Sequence, residues 1–308
     1  MLIPAAWPFV GRLEVAENVG LIPCPLSADL NWTCPGDFAD YPPLRPAYNH
    51  KGDFGHAVVL AGSMGFHGAA VLATRGAQRA QPGLVTVLTQ ENVFVPIASQ
   101  LQSAMVNVWR GENFLPPKTT ALLIGPGLAA PDISEELKVS ARKLWREANF
   151  PVVVDASGLE WLESSSDLVG ATRVITPHPG EMARLIGRTT DEVNATRIDI
   201  ARDFAVQHAV HVVLKGFRTV VATPAGEVYI NATGNPGMAS GGMGDILTGM
   251  MAGMIAQENL GSFTERVLFS VYMHGLAGDL AAEEIGEEPL VATDLLKYLG
   301  AAWEQIRQ

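Results

Sequence analysis

An acid set among glycines is the first feature of this sequence that could do chemistry. Asp245 lies in residues 231–253, NATGNPGMASGGMGDILTGMMAG, a stretch with seven glycines. Beyond it, Ile246, Leu247, Met250, Met251, Met254 and Ile255 recur at helical spacing and predict a helix with one buried face. A glycine-rich turn running into a helix brings bare backbone N–H groups to the positive end of the helix dipole, where anions are held. A tight turn with Asp245 as helix N-cap fits the same local pattern, because Asp favours that position. Lys215 and Thr219 stand just upstream in LKGFRT. A carboxylate beside a phosphate repels it, so an acid here suits a base that takes a proton from a hydroxyl next to a bound phosphoryl group.

Such a base must be carried to its place by regular elements. From His56 onward short apolar strands (HAVVLAG, LVTVLT, ALLIGPG, PVVVDA, TRVITPHPG) alternate with helical segments (AAVLATRGAQRA, ISEELKVSARKLWREA, GEMARLIG, DEVNATRIDIARDFAVQH), and a helix starts near Val93. HVVLK, RTVVAT and EVYIN have hairpin-like spacing, and three helices after the glycine-rich turn end near Trp303. The alternation predicts an α/β domain over residues 49–308, with a mainly parallel sheet covered on both faces. Ligands of such sheets sit outside the carboxyl ends of the strands. The loops GSMGFHGAA, GPGL, DASG, TPHPGE, LKGFRT and NPGMASGGMGD all follow predicted strands, so they gather along one edge. Residues 1–48 differ: they hold eight prolines, both cysteines and little periodicity. This arm is a lead-in packed on the main body or the remnant of a preceding domain.

Composition narrows the partners. A formal net charge of −11 and a pI near 5.1 argue against general nucleic-acid binding, so an anionic ligand needs a local constellation to hold it. Cys24 and Cys34 form no CxxC and fit a reducing cytoplasm. No run reaches the length of a membrane span. The start, MLIPAAWPFVGRLEV, lacks a basic region and a cleavage site and is read as untargeted.

HKGDFGHAVVLAGSMGFHGAA, LIGPGL, TPHPGEMARLIG, VVLKG, NATGNPGMASGGMGDILTGMMAG and VYMHGLAGDLAAE together resemble the NAD(P)H-hydrate dehydratase family, ADP- or ATP-dependent nicotinamide-repair enzymes. The resemblance covers residues 45–305. Its most specific segments are PHPGEMARL and TGNPGMASGG–GD, whereas GxGD alone is shared by many kinases of the same fold. It implies a ribokinase-like three-layer αβα fold, repair of hydrated NADH and NADPH, ADP (or ATP) as phosphoryl donor, Mg2+ and a cytoplasmic homotetramer. GRLEVAENVGLIP, residues 11–23, looks like the tail of the epimerase domain of bifunctional members. This implies a dehydratase acting with a separate epimerase.

Carried over residue by residue, the resemblance makes Asp245 the base, with the N–H groups of Gly241, Gly242, Met243 and Gly244 as anion hole. The hydrate would meet Ala69, Gly127, Asp245 and the run His178, Pro179, Gly180, Glu181, Met182, Ala183, Arg184. The adenine nucleotide would meet Lys215, Gly216, Phe217, Arg218 and Thr219, and also Asn235, Pro236, Gly237, Met238, Ala239, Ser240 and Gly241 to Gly244. Glu181 would help to place magnesium through water. Without the family, Lys215 reads as a strand-end lysine facing solvent, His178 as structural, and Glu181 as a first-turn acid favoured by the helix dipole. His274 and Asp279 read as buried structural groups, and His208 and His211 give no metal spacing. The chain departs from the family's pattern at Pro82, Ala129, Ser157, Glu160 and Met243, and an expectation of low activity follows. Two other readings stay open: a small-molecule kinase of the same fold, and a weakly active adenylate- or dinucleotide-binding protein.

Overall fold

Strand β2 (His56–Leu60) is buried along its whole length, as an apolar run without alternation must be when helices cover both faces of a sheet. The computed structural model describes residues 30–38, 40–162 and 171–307. The segment 11–23 and Cys24 lie outside them. Among the described residues ten strands form one sheet: β1 (Leu30–Thr33), β2, β3 (Leu84–Thr89), β4 (Met105–Val108), β5 (Ala121–Ile124), β6 (Val152–Val154), β7 (Arg173–Ile175), β8 (His211–Leu214), β9 (Val220–Ala222) and β10 (Val228–Asn231). They run in the order β1-β10-β9-β8-β7-β6-β5-β2-β3-β4. Only β9 is antiparallel to its neighbours, so β8 and β10 point the same way and both end on the edge where β2, β5, β6 and β7 end.

The pleat sorts side chains into two cores. Ala57 and Val59 join one with helices α1 (His67–Arg79), α7 (Met243–Ile255), α8 (Phe263–Ile285) and α9 (Ala292–Ile306), while Val58 and Leu60 join the other with α3 (Glu135–Glu147), α4 (Pro179–Ile186) and α6 (Arg197–His208). Alternate residues of one strand serving opposite layers is the period-2 rule at work. The result is the three-layer αβα arrangement expected, with three helices after the glycine-rich turn.

Two elements were not foreseen. β4, in the sequence MVNV, closes one end of the sheet, and β1, in LNWT, pairs parallel with β10 at the other. β1 comes from the stretch read as an arm, and so does Phe38, whose buried ring lies 5.4 Å from that of Phe269 on α8. The long helical reading over DEVNATRIDIARDFAVQH divides into α5 (Thr190–Ala195) and α6, because Thr196 between them leaves helical geometry at φ −134°.

The feature that fixes the layer carrying Asp245 is the contact of α1 with α7. A Cβ on Gly76 would lie 2.3 Å from Ile246 O, one on Gly249 1.8 Å from Ala73 O, and one on Gly253 2.5 Å from Ala77 O. Only glycine permits backbones this close. From Ala73 with Gly249 to Ala77 with Gly253 the contacts move forward along both helices, so the two run parallel and open their N-termini on the same edge.

Candidate active site

Three strand ends and one helix start meet in a small group of charges. β6 is followed directly by Asp155, which is 1% exposed. Its Oδ1 accepts hydrogen bonds from Lys215 Nζ at 2.6 Å and from Thr176 Oγ1 at 2.8 Å. On its other side, Thr248 Oγ1 of α7 lies 3.5 Å from Oδ2. Lys215 is the first residue after β8, and its ammonium also lies 4.0 Å from Glu181 Oε2. A Cβ on Gly244 would stand 3.3 Å from that nitrogen, so the ammonium abuts the first turn of α7.

Asp245 is the third residue of α7. Gly242 is the N-cap, with φ +92° and no side-chain capping bond. The N-cap reading of Asp245 is thereby set aside. Ile246 N–H donates to Gly242 O at 3.2 Å, and the N–H groups of Met243, Gly244 and Asp245 precede the reach of the intrahelical ladder. Burial, reinforced by the Asp155 carboxylate, opposed by Lys215 and raised further by Glu181, pushes the Asp245 carboxyl up to about 7. Burial alone would lower Lys215, but Asp155, Glu181 and Asp245 outweigh it and hold the ammonium above its ordinary value.

His178 caps α4. Its Nδ1 accepts from Gly180 N at 3.0 Å and Glu181 N at 3.2 Å, while Glu181 Oε2 accepts from His178 N at 2.7 Å. With Nδ1 an acceptor, the neutral ring carries its proton on Nε2, 3.4 Å from Glu181 Oε1. Pro179 and Gly180 form the first turn. Met182 and Ala183 turn into the core below, 0% and 5% exposed. Arg184 stands at the rim beside Glu160, 3.5 Å away. Gly127, at φ +66°, packs so closely on the Phe66–Ala69 turn that a Cβ there would come within 2.9 Å of Ala69 Cβ. Ser63 ties the two loops, donating to Gly127 O and accepting from Ala130 N.

The two expected nucleotide loops are fixed from behind. Arg197 donates to Leu214 O and Lys215 O, and Thr219 Oγ1 donates to Gly216 O at 3.1 Å. Arg218 is buried and donates to Ala232 O, leaving the Phe217 ring half exposed. Asp279 of α8 accepts from Gly234 N at 2.9 Å and Asn235 Nδ2 at 3.0 Å, the structural part expected of it. His274, neutral because burial lowers it to about 4, bonds Met243 O at 2.9 Å. Pro236–Met238 make one tight turn, in which a Cβ on Gly237 would meet Glu287 O at 2.4 Å. Ala239 and Gly241 are exposed. Asn235 Oδ1 and Ser240 Oγ are buried without a hydrogen-bond partner. His208 stacks on Phe204 and His211 contacts Thr264, and among the described residues no group of three or more His, Cys, Asp or Glu is arranged to hold a metal.

The structure therefore brings Asp245, Gly244, Lys215, Glu181 and His178 together, and sets Ala69 against Gly127. It takes the side chains of Met182, Ala183 and Met243 away into the core. Sequence reasoning did not single out Asp155, Thr176, Thr248 or Arg197. Asp155 alone left a signal there, an acid directly after the apolar strand VVV.

The family model described as NAD(P)H-hydrate dehydratase matches residues 57–300. The chain is 37% identical over 284 residues to a bifunctional NAD(P)H-hydrate repair enzyme of Thermofilum pendens, covering 87% of this chain and 53% of that protein. It thus spans about half the length of the bifunctional relatives it matches. To the ADP-dependent (S)-NAD(P)H-hydrate dehydratase of Bacillus subtilis it is 35% identical over 269 residues, 85% of this chain and 94% of the relative. A crystal structure of the Bacillus subtilis ADP/ATP-dependent enzyme, co-crystallized with ATP/Mg2+, superposes with a TM-score of 0.78 at 34% identity, over 86% of this chain and 94% of that one. A ribokinase-like superfamily protein of Enterococcus faecalis, 24% identical with a TM-score of 0.78, shares the fold. No helix among the described residues is long and apolar enough to cross a membrane. On the strength of the matched model and of a relative covered almost end to end, this chain belongs to the NAD(P)H-hydrate dehydratase family.

Proposed function

We propose that this protein returns hydrated NADH and NADPH to NADH and NADPH by nucleotide-dependent dehydration, with ADP (or ATP) as phosphoryl donor. The observation that carries the reading is Asp245, a part-buried acid held beside an ammonium and the open N-terminus of α7. A carboxyl poised near 7 suits general-base work at neutral pH. In the proposed reaction Asp245 takes the proton of the ring hydroxyl as that oxygen attacks the terminal phosphorus of the donor, and the donor leaves one phosphate shorter. The ring nitrogen's lone pair then expels the new phosphate, and loss of a proton from the adjacent ring carbon restores the double bond. Backbone N–H groups at the start of α7 would hold the developing charge on the phosphoryl oxygens.

The loop residues fit a nucleotide: Asn235 Oδ1 and Ser240 Oγ lack partners, and Gly241 has open space where a side chain would stand. Both Glu181 oxygens already face His178, which fits a magnesium ion held through water and not directly. Such an ion would offset charge on the phosphates when bound. His178 and Glu181, with Ala69 and Gly127 opposite, would shape the hydrate site; Phe217 and the 235–244 loop would face the adenine nucleotide. We read the protein as a cytoplasmic homotetramer. The direct test is recovery of NADH absorbance from purified NADH hydrate with Mg2+, with ADP and ATP supplied separately. Absence of recovery with either donor would refute the proposal.

A further inference from the structure

Lys215 was expected among the residues that meet the adenine nucleotide, and its ammonium is turned inward. Asp155 accounts for this. The carboxylate is 1% exposed and gathers three elements: Lys215 just after β8, Thr176 just after β7 and Thr248 from α7. Lys215 retains 17% of its side-chain exposure, so the nitrogen is withdrawn from bulk water without being sealed off. A buried ion pair contributes little stability compared with an apolar pair of the same shape. A positional role is the better account of a pair placed at the mouth of the sheet, beside Glu181 and the first turn of α7.

The geometry points to Asp155 as a positioning residue that holds the Lys215 ammonium at the group-transfer end of the site, beside Asp245, so that Lys215 serves the transferring phosphoryl group and not the adenine. This rests on the dehydratase reading above. An ammonium with one donor committed to Asp155 keeps two N–H bonds for phosphoryl oxygens. Without its anchor it would swing to Glu181 or Asp245 and pair with an acid that the reaction needs.

The test measures turnover of NADH hydrate and, separately, ADP binding by calorimetry with Mg2+ in wild type, Asp155→Asn, Lys215→Met and the charge-balanced double variant. Asp155→Asn should lower kcat about 10- to 100-fold, as loss of a preorganised electrostatic contact does, with ADP affinity within about threefold of wild type. In the Lys215→Met background the Asp155 substitution should cause no further loss, because its effect passes through the lysine. An equal further loss in that background would mark Asp155 as merely structural and overturn the inference. So would an ADP affinity that collapses while kcat stands. If either single variant fails to fold, the double variant decides: loss of kcat with ADP binding retained supports the role, and kcat within about threefold of wild type sinks it. A wild type that neither binds ADP nor turns over the hydrate rejects the dehydratase reading and this inference with it. An active wild type with the other patterns absent rejects the inference alone.

Discussion

Asp245 has the most definite consequences at the scale of single residues. Asp245→Asn should lower kcat about 10²-fold or more, the usual cost of a missing base, in the NADH-recovery assay. Because the unprotonated carboxylate is the proposed base, wild-type kcat/KM should rise with pH to a plateau, with a midpoint near the value of about 7 to which Asp245 is pushed. Stability should move the other way. The folded-state value of about 7 lies above the ordinary 3.8, so between these pH values the native chain holds a proton that the unfolded chain has lost. The stability this proton represents is present below the ordinary value and gone above 7. Asp245→Asn should therefore melt higher than wild type at pH 8, by a few °C per kcal/mol regained, and the gap should close near pH 4. The acid and its glycines were legible in the sequence because a carboxylate in an anion-binding turn conflicts with its surroundings. The direction of Lys215 was not legible: it depends on Asp155, a residue 60 positions away in sequence, which no local pattern reports.

Among the elements, α7 carries Asp245 and α1 holds it in place. Gly249→Ala would force a Cβ to within 1.8 Å of Ala73 O, and should cost about 1–3 kcal/mol or more as overpacking does. Gly300 of α9 has nothing within 4 Å of a Cβ. Gly300→Ala should leave stability unchanged or raise it by up to about 1 kcal/mol, the helix-propensity difference. Chemical denaturation of the two variants checks both signs. Helix α7 itself was readable from its apolar spacing, and β8 to β10 from three strand-like runs separated by turns. The edge strands were not. β4 is half exposed and β1 is four residues long with polar Asn31 and Thr33, so neither offers the continuous apolar run that betrays a buried strand. Their pairing partners decide their conformation.

For the molecule as a whole, the net charge of −11 opposes its proposed ligands, which are anions. Screening that repulsion should help: raising ionic strength from about 20 to 150 mM shortens the Debye length from about 20 Å to about 8 Å, and KM for ADP should fall while kcat stays level. Steady-state kinetics at fixed Mg2+ would detect the opposite trend, a rising KM, if the local cations dominated. The layered αβα plan was legible because strand and helix periods alternate cleanly, whereas the convergence of loops on one edge needed the parallel rule to be seen. That edge is supported by the glycine seam between α1 and α7. Backbones that touch through Gly76, Gly249 and Gly253 leave no room for one helix to slide past the other. The amides inside α7 should then exchange with solvent only when the whole domain opens, while those of residues 232–241 exchange by local excursions. Timing in turnover belongs to the loops. The carboxylate stays where the seam has put it, and substrate and donor are brought to it.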